Sequence, residues 1–213
     1  MQGTPFIYQG QEIGMTNSEF ASIDDFDDVL ARNDYALRLA AGESAEAILA
    51  DLTLNSRDNA RTPMQWDDSA HAGFTTGQPW LAVNPNHDRI NVALQRNDPD
   101  SVLNHYRRLI ALRKAEPTLV HGDYRLLMPA DERLYAYQRR HGNDRIVVMV
   151  NLTAGTARFA HRSIVLHHAG LLLANRPVAP HADMHEATLA PFEARVYRLP
   201  PPRRQAKGRR KAQ

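Results

Sequence analysis

Apolar positions along the chain fall into three textures. Thr4-Pro5-Phe6-Ile7-Tyr8 is a short, nearly continuous apolar run. That pattern fits a strand buried on both faces, as in parallel sheets, and Gly10 and Gly14 behind it mark turns with close backbone approach. Asp24 to Ala41 reads as a helix. Aspartates crowd its start, where they complement the helix dipole, and Phe26, Val29, Leu30 and Leu37 form an apolar face before Gly42 stops it. Ser44 caps a second helix to about Leu54, with Ala47, Ile48 and Leu52 as its buried side. Asp98-Pro99-Asp100-Ser101 opens another, striped by Val102, Tyr106, Leu109, Ile110 and Leu112 and ended by Pro117. Beyond Pro117 the texture becomes short strands: Asp123–Met128, Arg133–Gln138 and Ile146–Asn151, with His141-Gly142-Asn143-Asp144 as the turn between the last two. Further strands are expected around Ile164–Leu173 and Ala194–Leu199, which together predict a small antiparallel sandwich.

The third texture is Arg57 to His87, RDNARTPMQWDDSAHAGFTTGQPWLAVNPNH, which has neither a helical nor an alternating period. An unpatterned insert of that length inside a compact domain is either disordered or functional, and Trp66, Phe74 and Trp80 argue against disorder. Arg57 and Arg61 supply guanidinium forks that donate several fixed hydrogen bonds to hydroxyls and carboxylates, and indole faces stack on apolar sugar faces. Two readings stand: an ordered loop shaping a polar-ligand site, or a loop that Trp66 and Trp80 merely pin to a core.

Composition narrows the class. The 213 residues suffice for one or two domains, and 43% hydrophobic with 23% charged residues is ordinary for a globular chain. Cysteine is absent, which removes disulfides, thiolate zinc sites and cysteine nucleophiles. No stretch is long and apolar enough to span a bilayer, and no basic and apolar leader follows Met1, so a cytoplasmic location and no membrane partner are expected. The formal net charge is +2, with much of the basicity in RRQAKGRRKAQ after Pro200-Pro201-Pro202. That segment reads as a disordered basic tail in preference to a nucleic-acid arm, and no nucleic-acid partner is expected. His181 and His185 are spaced i, i+4, but Pro180 and the lack of a third ligand disfavour a metal site. No phosphate loop, nucleophile elbow or internal repeat is present, and no cofactor is expected. Glu12, after the first apolar run, reads either as an acid near substrate or, preferably, as a carboxylate bracing the loop arginines or backbone amides.

Two motifs carry a resemblance. RDNARTPMQWDD, followed by HAGFT, PW and VNPN, is similar to the loop after the last barrel strand of oligo-1,6-glucosidases, members of the alpha-amylase superfamily (glycoside hydrolase family 13). GTPFIYQGQEIGMTN, at Gly3 to Asn17, is similar to the eighth barrel strand and its following turn in the same enzymes. The likeness is close from Met1 to about Pro117 and looser to about Leu199. Departures are small: Gln11 stands where many relatives have glutamate, and His87 where tyrosine is more usual.

The resemblance implies an α/β then all-β chain: the carboxyl-terminal end of a (β/α)8 TIM barrel over residues 1–117, a small antiparallel β-sandwich over 118–200, and the tail 201–213. One strand and one helix cannot close an eight-stranded barrel, so residues 1–117 are expected to fold poorly by themselves while 118–200 fold independently. It implies a retaining alpha-glucosidase acting on short α-glucosides. Such enzymes use two carboxyl groups about 5–5.5 Å apart. In the family the nucleophilic aspartate, the acid/base glutamate and a third aspartate lie on earlier barrel strands, whose motifs do not occur here. No residue of this chain is therefore assigned a catalytic role, and the chain alone is expected to be inactive. What carries over is substrate binding. Arg61 matches the arginine that reaches the terminal glucose at the closed end of the pocket, and Arg57 is a weaker candidate with bracing the loop as its alternative. Asn59-Ala60 favours the oligo-1,6-glucosidase type over trehalose-6-phosphate hydrolases. A non-catalytic carbohydrate-binding remnant is the reading from another class.

Overall fold

A computed structural model describes residues 2–178 and 185–201. His181 and the tail beyond Pro201 lie outside the described residues. The chain divides into two compact units, Phe6–Arg107 and Met1–Pro5 with Arg108–Gln213.

In Phe6–Arg107 two helices pair, α1 (Val29–Ala40) and α2 (Ala45–Asn55). The aspartates expected to start one long helix instead cap two pieces. Ser22 and Asp25 form a capping box around a 3-10 turn at Ile23–Asp25, and Asp28 caps α1 by accepting from the Leu30 amide. Phe26, between them, is extended, fully buried and stacked on Phe20 at 4.3 Å. Val29, Leu30 and Leu37 do not form a buried face: they are 65%, 62% and 72% exposed, and Ala31 is the α1 residue in the core. On α2 Ser44 accepts from the Ala47 amide as expected, and Ile48 and Leu52 are buried while Ala47 is exposed. The core here is small: Phe20, Phe26, Ala31, Ile48, Leu52 and Leu81 in one cluster, and Ile13, Met64, Val92 and Leu103 in another.

Thr4–Tyr8 is not a strand. Phe6 is 93% exposed, and the backbone of Phe6 and Ile7 makes no hydrogen bond among the described residues. The run has the side chains of a buried strand but nothing to form a ladder with, and a ladder is what makes an extended segment a strand.

After a short helix α3 (Val92–Arg96), which periodicity did not indicate, α4 spans Val102–Ala115. Its expected stripe is partly inverted, since Val102, Leu109 and Ile110 are exposed and Leu103 is buried. Pro117 ends α4 and also opens α5 (Pro117–His121), occupying the first-turn position where its missing N–H costs nothing.

Among the described residues seven strands follow: β1 (Asp123–Leu127), β2 (Leu134–His141), β3 (Asp144–Asn151), β4 (Ala157–Ala160), β5 (Gly170–Ala174), β6 (Glu186–Leu189) and β7 (Ala194–Leu199). They build a five-stranded antiparallel sheet in the order β1-β2-β3-β7-β5 and a two-stranded sheet β4-β6. The β2–β3 hairpin turns at Gly142-Asn143, with His141 paired to Asp144 and Gly142 at φ 59°. Alternate residues of both sheets meet in one core, with Leu134, Ala136, Val147, Met149 and Tyr197 facing Ala157, Phe159, Ala187 and Leu189. The opposite side of the large sheet takes Ile146, Val148 and Val196 against Leu112 of α4 and Leu119 of α5. β3 is thus buried on both faces, which is why it reads as the run IVVMV. The strand expected at Ile164–Leu173 begins only at Gly170; Ile164 and Leu166 are buried in the connection before it. Gly122, between α5 and β1, sits where a Cβ would stand 2.5 Å from the Thr118 carbonyl, and its own carbonyl accepts from the buried Arg139. No helix among the described residues is long and apolar enough to cross a membrane.

Candidate functional site

A loop that forms no ladder must satisfy its backbone polar groups by other means, and this one uses short polar side chains. Ser56 caps a 3-10 turn at Arg57–Ala60. Asp58, fully buried within it, accepts the Asp27 and Asp28 amides on Oδ2, both at 2.8 Å, and so holds the start of α1. Asn59 accepts from the Ser18 amide at 3.0 Å and donates to the Thr53 carbonyl at 2.8 Å. Gln65 donates to Asn86 Oδ1 and to the Ile90 carbonyl, while Asn84 donates to the carbonyls of Thr16 and Asn17. Gln95 reaches back to the Ile13 carbonyl at 2.7 Å. The segment Gly10–Asn17 and the loop Arg57–Asn91 are thereby one hydrogen-bonded body.

The two arginines end in different situations. Arg57 is locked: its Nε and Nη2 donate to both oxygens of Asp28 at 2.9 and 2.5 Å. The same contact is the main reason the Asp28 carboxyl is lowered from 3.8 to about 2, and it raises Arg57. Arg61 has one long contact, 3.4 Å from Nη1 to Asp58 Oδ1, and its side chain is 37% exposed. Arg57 is thus tied by two hydrogen bonds to the start of α1, whereas Arg61 has one long contact within its own turn.

Glu12 corrects an expectation. It braces neither arginine, since these are held by Asp28 and Asp58, and its Oε2 is buried without a hydrogen-bond partner. The tryptophans also depart from the pinned-loop reading: Trp66 and Trp80 are 48% and 57% exposed, and Phe74, between them in sequence, is 44% exposed. Between Trp66 and Phe74 the chain makes a tight reversal. His71, Ala72 and Gly73 all have positive φ, and a Cβ on Gly73 would lie 2.6 Å from the Asp67 carboxylate, so glycine is required there.

A cavity of about 350 Å³ opens between the two hydrogen-bonded segments, lined by Tyr8, Gln9, Gln11, Asn17, Asn59 and Thr62 among others. Side-chain amides and hydroxyls that both donate and accept suit polyhydroxylated ligands. Arg61 is not on its wall, although its neighbours Ala60 and Thr62 are. Among the described residues no group of three or more histidine, aspartate or glutamate side chains could hold a metal ion, and His185 is instead turned to the Ile164 carbonyl. Sequence reasoning missed Asp28 and Asp58. Their signal was present, since an aspartate at a helix start and one between the two loop arginines are natural partners for those arginines.

The family model for the alpha-amylase catalytic domain matches residues 1–122. The chain belongs to the alpha-amylase family. Among its relatives, the oligo-1,6-glucosidase of Parageobacillus thermoglucosidasius is 44% identical over 93% of this chain and 36% of the enzyme. The trehalose-6-phosphate hydrolase of Bacillus subtilis (strain 168) is 38% identical over 95% of this chain and 36% of its own length. The crystal structure of the trehalulose synthase MutB from Pseudomonas mesoacidophila MX-45 superposes with a TM-score of 0.87 at 43% identity, covering 93% of this chain and 36% of that one. The chain thus spans about a third of the length of the relatives it matches. The family resemblance carried by RDNARTPMQWDD and GTPFIYQGQEIGMTN is borne out.

Proposed function

We propose that the chain is the carboxyl-terminal part of a retaining alpha-glucosidase that hydrolyses terminal α-1,6 bonds of short oligosaccharides. Residues 1–117 belong to its barrel domain, 118–200 form an accessory β-sandwich, and 201–213 are a basic tail. Arg61 binds the terminal glucose and Arg57 supports it by fixing the loop through Asp28. The observation that carries this reading is the contrast between the arginines: Arg57, although 56% exposed, is held by both oxygens of Asp28, whereas Arg61, 37% exposed, has a single long contact to Asp58. Glucose hydroxyls accept from a guanidinium fork in the geometry Arg61 offers. The oligo-1,6-glucosidases among the relatives, at 41–44% identity, support the linkage. Catalysis is not assigned to any residue of this chain, because the family's catalytic carboxylates belong to motifs that are not in its sequence.

The test is ligand-observed NMR with isomaltose, maltose and trehalose, beside turnover of p-nitrophenyl α-glucoside. Weak isomaltose binding without turnover is expected, abolished by Arg61→Ala and retained in Arg61→Lys at reduced strength. Binding indifferent to Arg61→Ala overturns the assignment of Arg61, and efficient turnover by the 213 residues alone overturns the assignment of the catalytic groups elsewhere.

A further inference from the structure

In the unit that holds the seven strands, several arginines meet carboxylates. Arg133 reaches Asp131, Arg158 reaches Glu186, Arg195 reaches Glu193 and Arg198 reaches Glu116. Three others, at one end of the five-stranded sheet, do not. The pleat puts Arg125 of β1, Arg140 of β2 and Arg145 of β3 on one face, the face that carries Leu127, Ala136 and Val147 into the core further along the strands. Arg140 and Arg145 are direct cross-strand partners beside the Gly142-Asn143 turn. Arg125, whose own partner is Gln138, lies diagonally across from Arg140. Side chains directly opposite one another start about 4.5–5.5 Å apart, and like charges there repel.

The protein itself does not offset that repulsion. Asp123 is the other register partner of Arg140, and Asp144 follows in the turn, yet among the described residues no carboxylate comes within ion-pairing distance of the three. Arg140 Nε donates to the Gly142 carbonyl at 3.1 Å and Arg145 Nη2 to the Pro200 carbonyl at 2.8 Å, so backbone steadies both guanidiniums without neutralising them. Arg145 Nε is buried and has no acceptor among the described residues. A buried charged donor in that state points to an acceptor from outside the chain. The half-buried His161, just after β4, adjoins the cluster: burial lowers its pKa, and the charge of Arg125 lowers it further.

We propose that Arg125, Arg140 and Arg145 form a binding site for a phosphoryl group, carried by inorganic phosphate or by a small phosphate ester. Guanidinium forks match phosphate oxygens in pairs, and forks on adjacent strands can close on one group from two sides. Such an anion removes the repulsion between Arg140 and Arg145 and offers Arg145 Nε an acceptor. Arg61 belongs to the other unit, so the inference does not depend on the glucosidase reading. Six basic residues from Arg203 to Lys211 follow Pro200 in sequence, and their general attraction for anions has to be separated from a built site.

The experiment is isothermal titration calorimetry of the full chain at low salt with inorganic phosphate, glucose 6-phosphate and, as a carboxylate control, acetate. Saturable one-to-one binding of the phosphate probes is expected. Tighter binding of inorganic phosphate assigns the free ion and tighter binding of glucose 6-phosphate an ester; either supports the site. Arg140→Gln with Arg145→Gln weakens binding by about tenfold or more, and Arg125→Gln weakens it less. Replacing all six basic residues from Arg203 to Lys211 by glutamine leaves binding intact, as does Arg133→Gln, whose arginine is already paired with Asp131. Arg140→Gln by itself is expected to keep or raise the urea midpoint, because it relieves the cross-strand repulsion, so its loss of affinity is not a loss of fold. Absence of saturable binding, acetate binding as tightly as phosphate, binding retained in the double variant, or binding lost with the six glutamines each overturns the inference.

Discussion

The two units of this chain solve the same problem by opposite means. The β-rich unit hides apolar side chains: Phe159, Ile164, Leu189 and Met149 are fully buried in a single core drawn from both sheets. The unit Phe6–Arg107 hides polar ones. Asp58, Gln65 and Asn91 are as buried as any leucine, while Phe6, Leu37 and Leu54 are among the most exposed hydrophobics of the chain. Non-directional apolar burial closes a core with only a two-residue alternation to obey, whereas a polar framework has to place each donor opposite an acceptor. The first gives a unit complete in itself. The second gives a surface whose fit is set in advance of whatever it meets.

Substitutions at four positions sharpen or break this contrast, and the positions of Trp66 and Trp80 make it measurable, since tryptophan fluorescence reports the unit Phe6–Arg107 alone. Phe159→Ala empties the β core and is expected to cost about 3–5 kcal/mol in urea unfolding followed by circular dichroism, with the tryptophan transition unmoved. Equal shifts in both signals would show that the units are not energetically distinct. Asp58→Ala strands two amides at the start of α1, that of Asp28 buried and that of Asp27 part-buried. A loss of about 3 kcal/mol in the tryptophan transition is expected, with a smaller loss for Asp58→Asn, which keeps one acceptor oxygen. A loss under about 1 kcal/mol would mean that water replaces the carboxylate and that the framework is not what holds the loop.

Acid titration isolates the Arg57 clamp. Asp28 has its folded value depressed from 3.8 to about 2. Its contribution is therefore complete above pH about 4 and drains away as pH falls towards 2, because the unfolded state takes up the proton first. The tryptophan transition of the parent chain should weaken over that window, and Arg57→Ala should remove the dependence that Asp28 supplies. An identical acid profile in the variant would assign the depression to something other than Arg57. The smallest effect is expected for Leu37→Gln, within about 0.5 kcal/mol of the parent, because this leucine is 72% exposed. A larger destabilisation would place Leu37 in a contact that its exposure denies.

Local signals were read well where they act locally. Ser44 caps α2, the turn at Gly142-Asn143 joins β2 to β3, and β7 occupies the residues expected of it. Capping and turn chemistry need only neighbours in sequence, so they survive in any tertiary setting. Reading failed where an element depends on a partner. Thr4–Tyr8 has strand composition without a strand, and α1 has an apolar stripe that faces water. The strands β4 and β6 escaped notice because they are four residues each, too short for alternation to stand out. At the site, Arg57 and Arg61 were both visible as candidates, but their inequality was not. It arises from Asp28, twenty-nine positions away, meeting one guanidinium and leaving the other.

By itself, then, the sequence determined the family, through two long motifs, and the type of most elements, because caps, turns and periodicity are written in adjacent residues. Tertiary structure decided which faces are covered and which arginine is clamped by a carboxylate. Those outcomes depend on groups brought together from distant positions, and no local pattern encodes whether a partner is there to meet them.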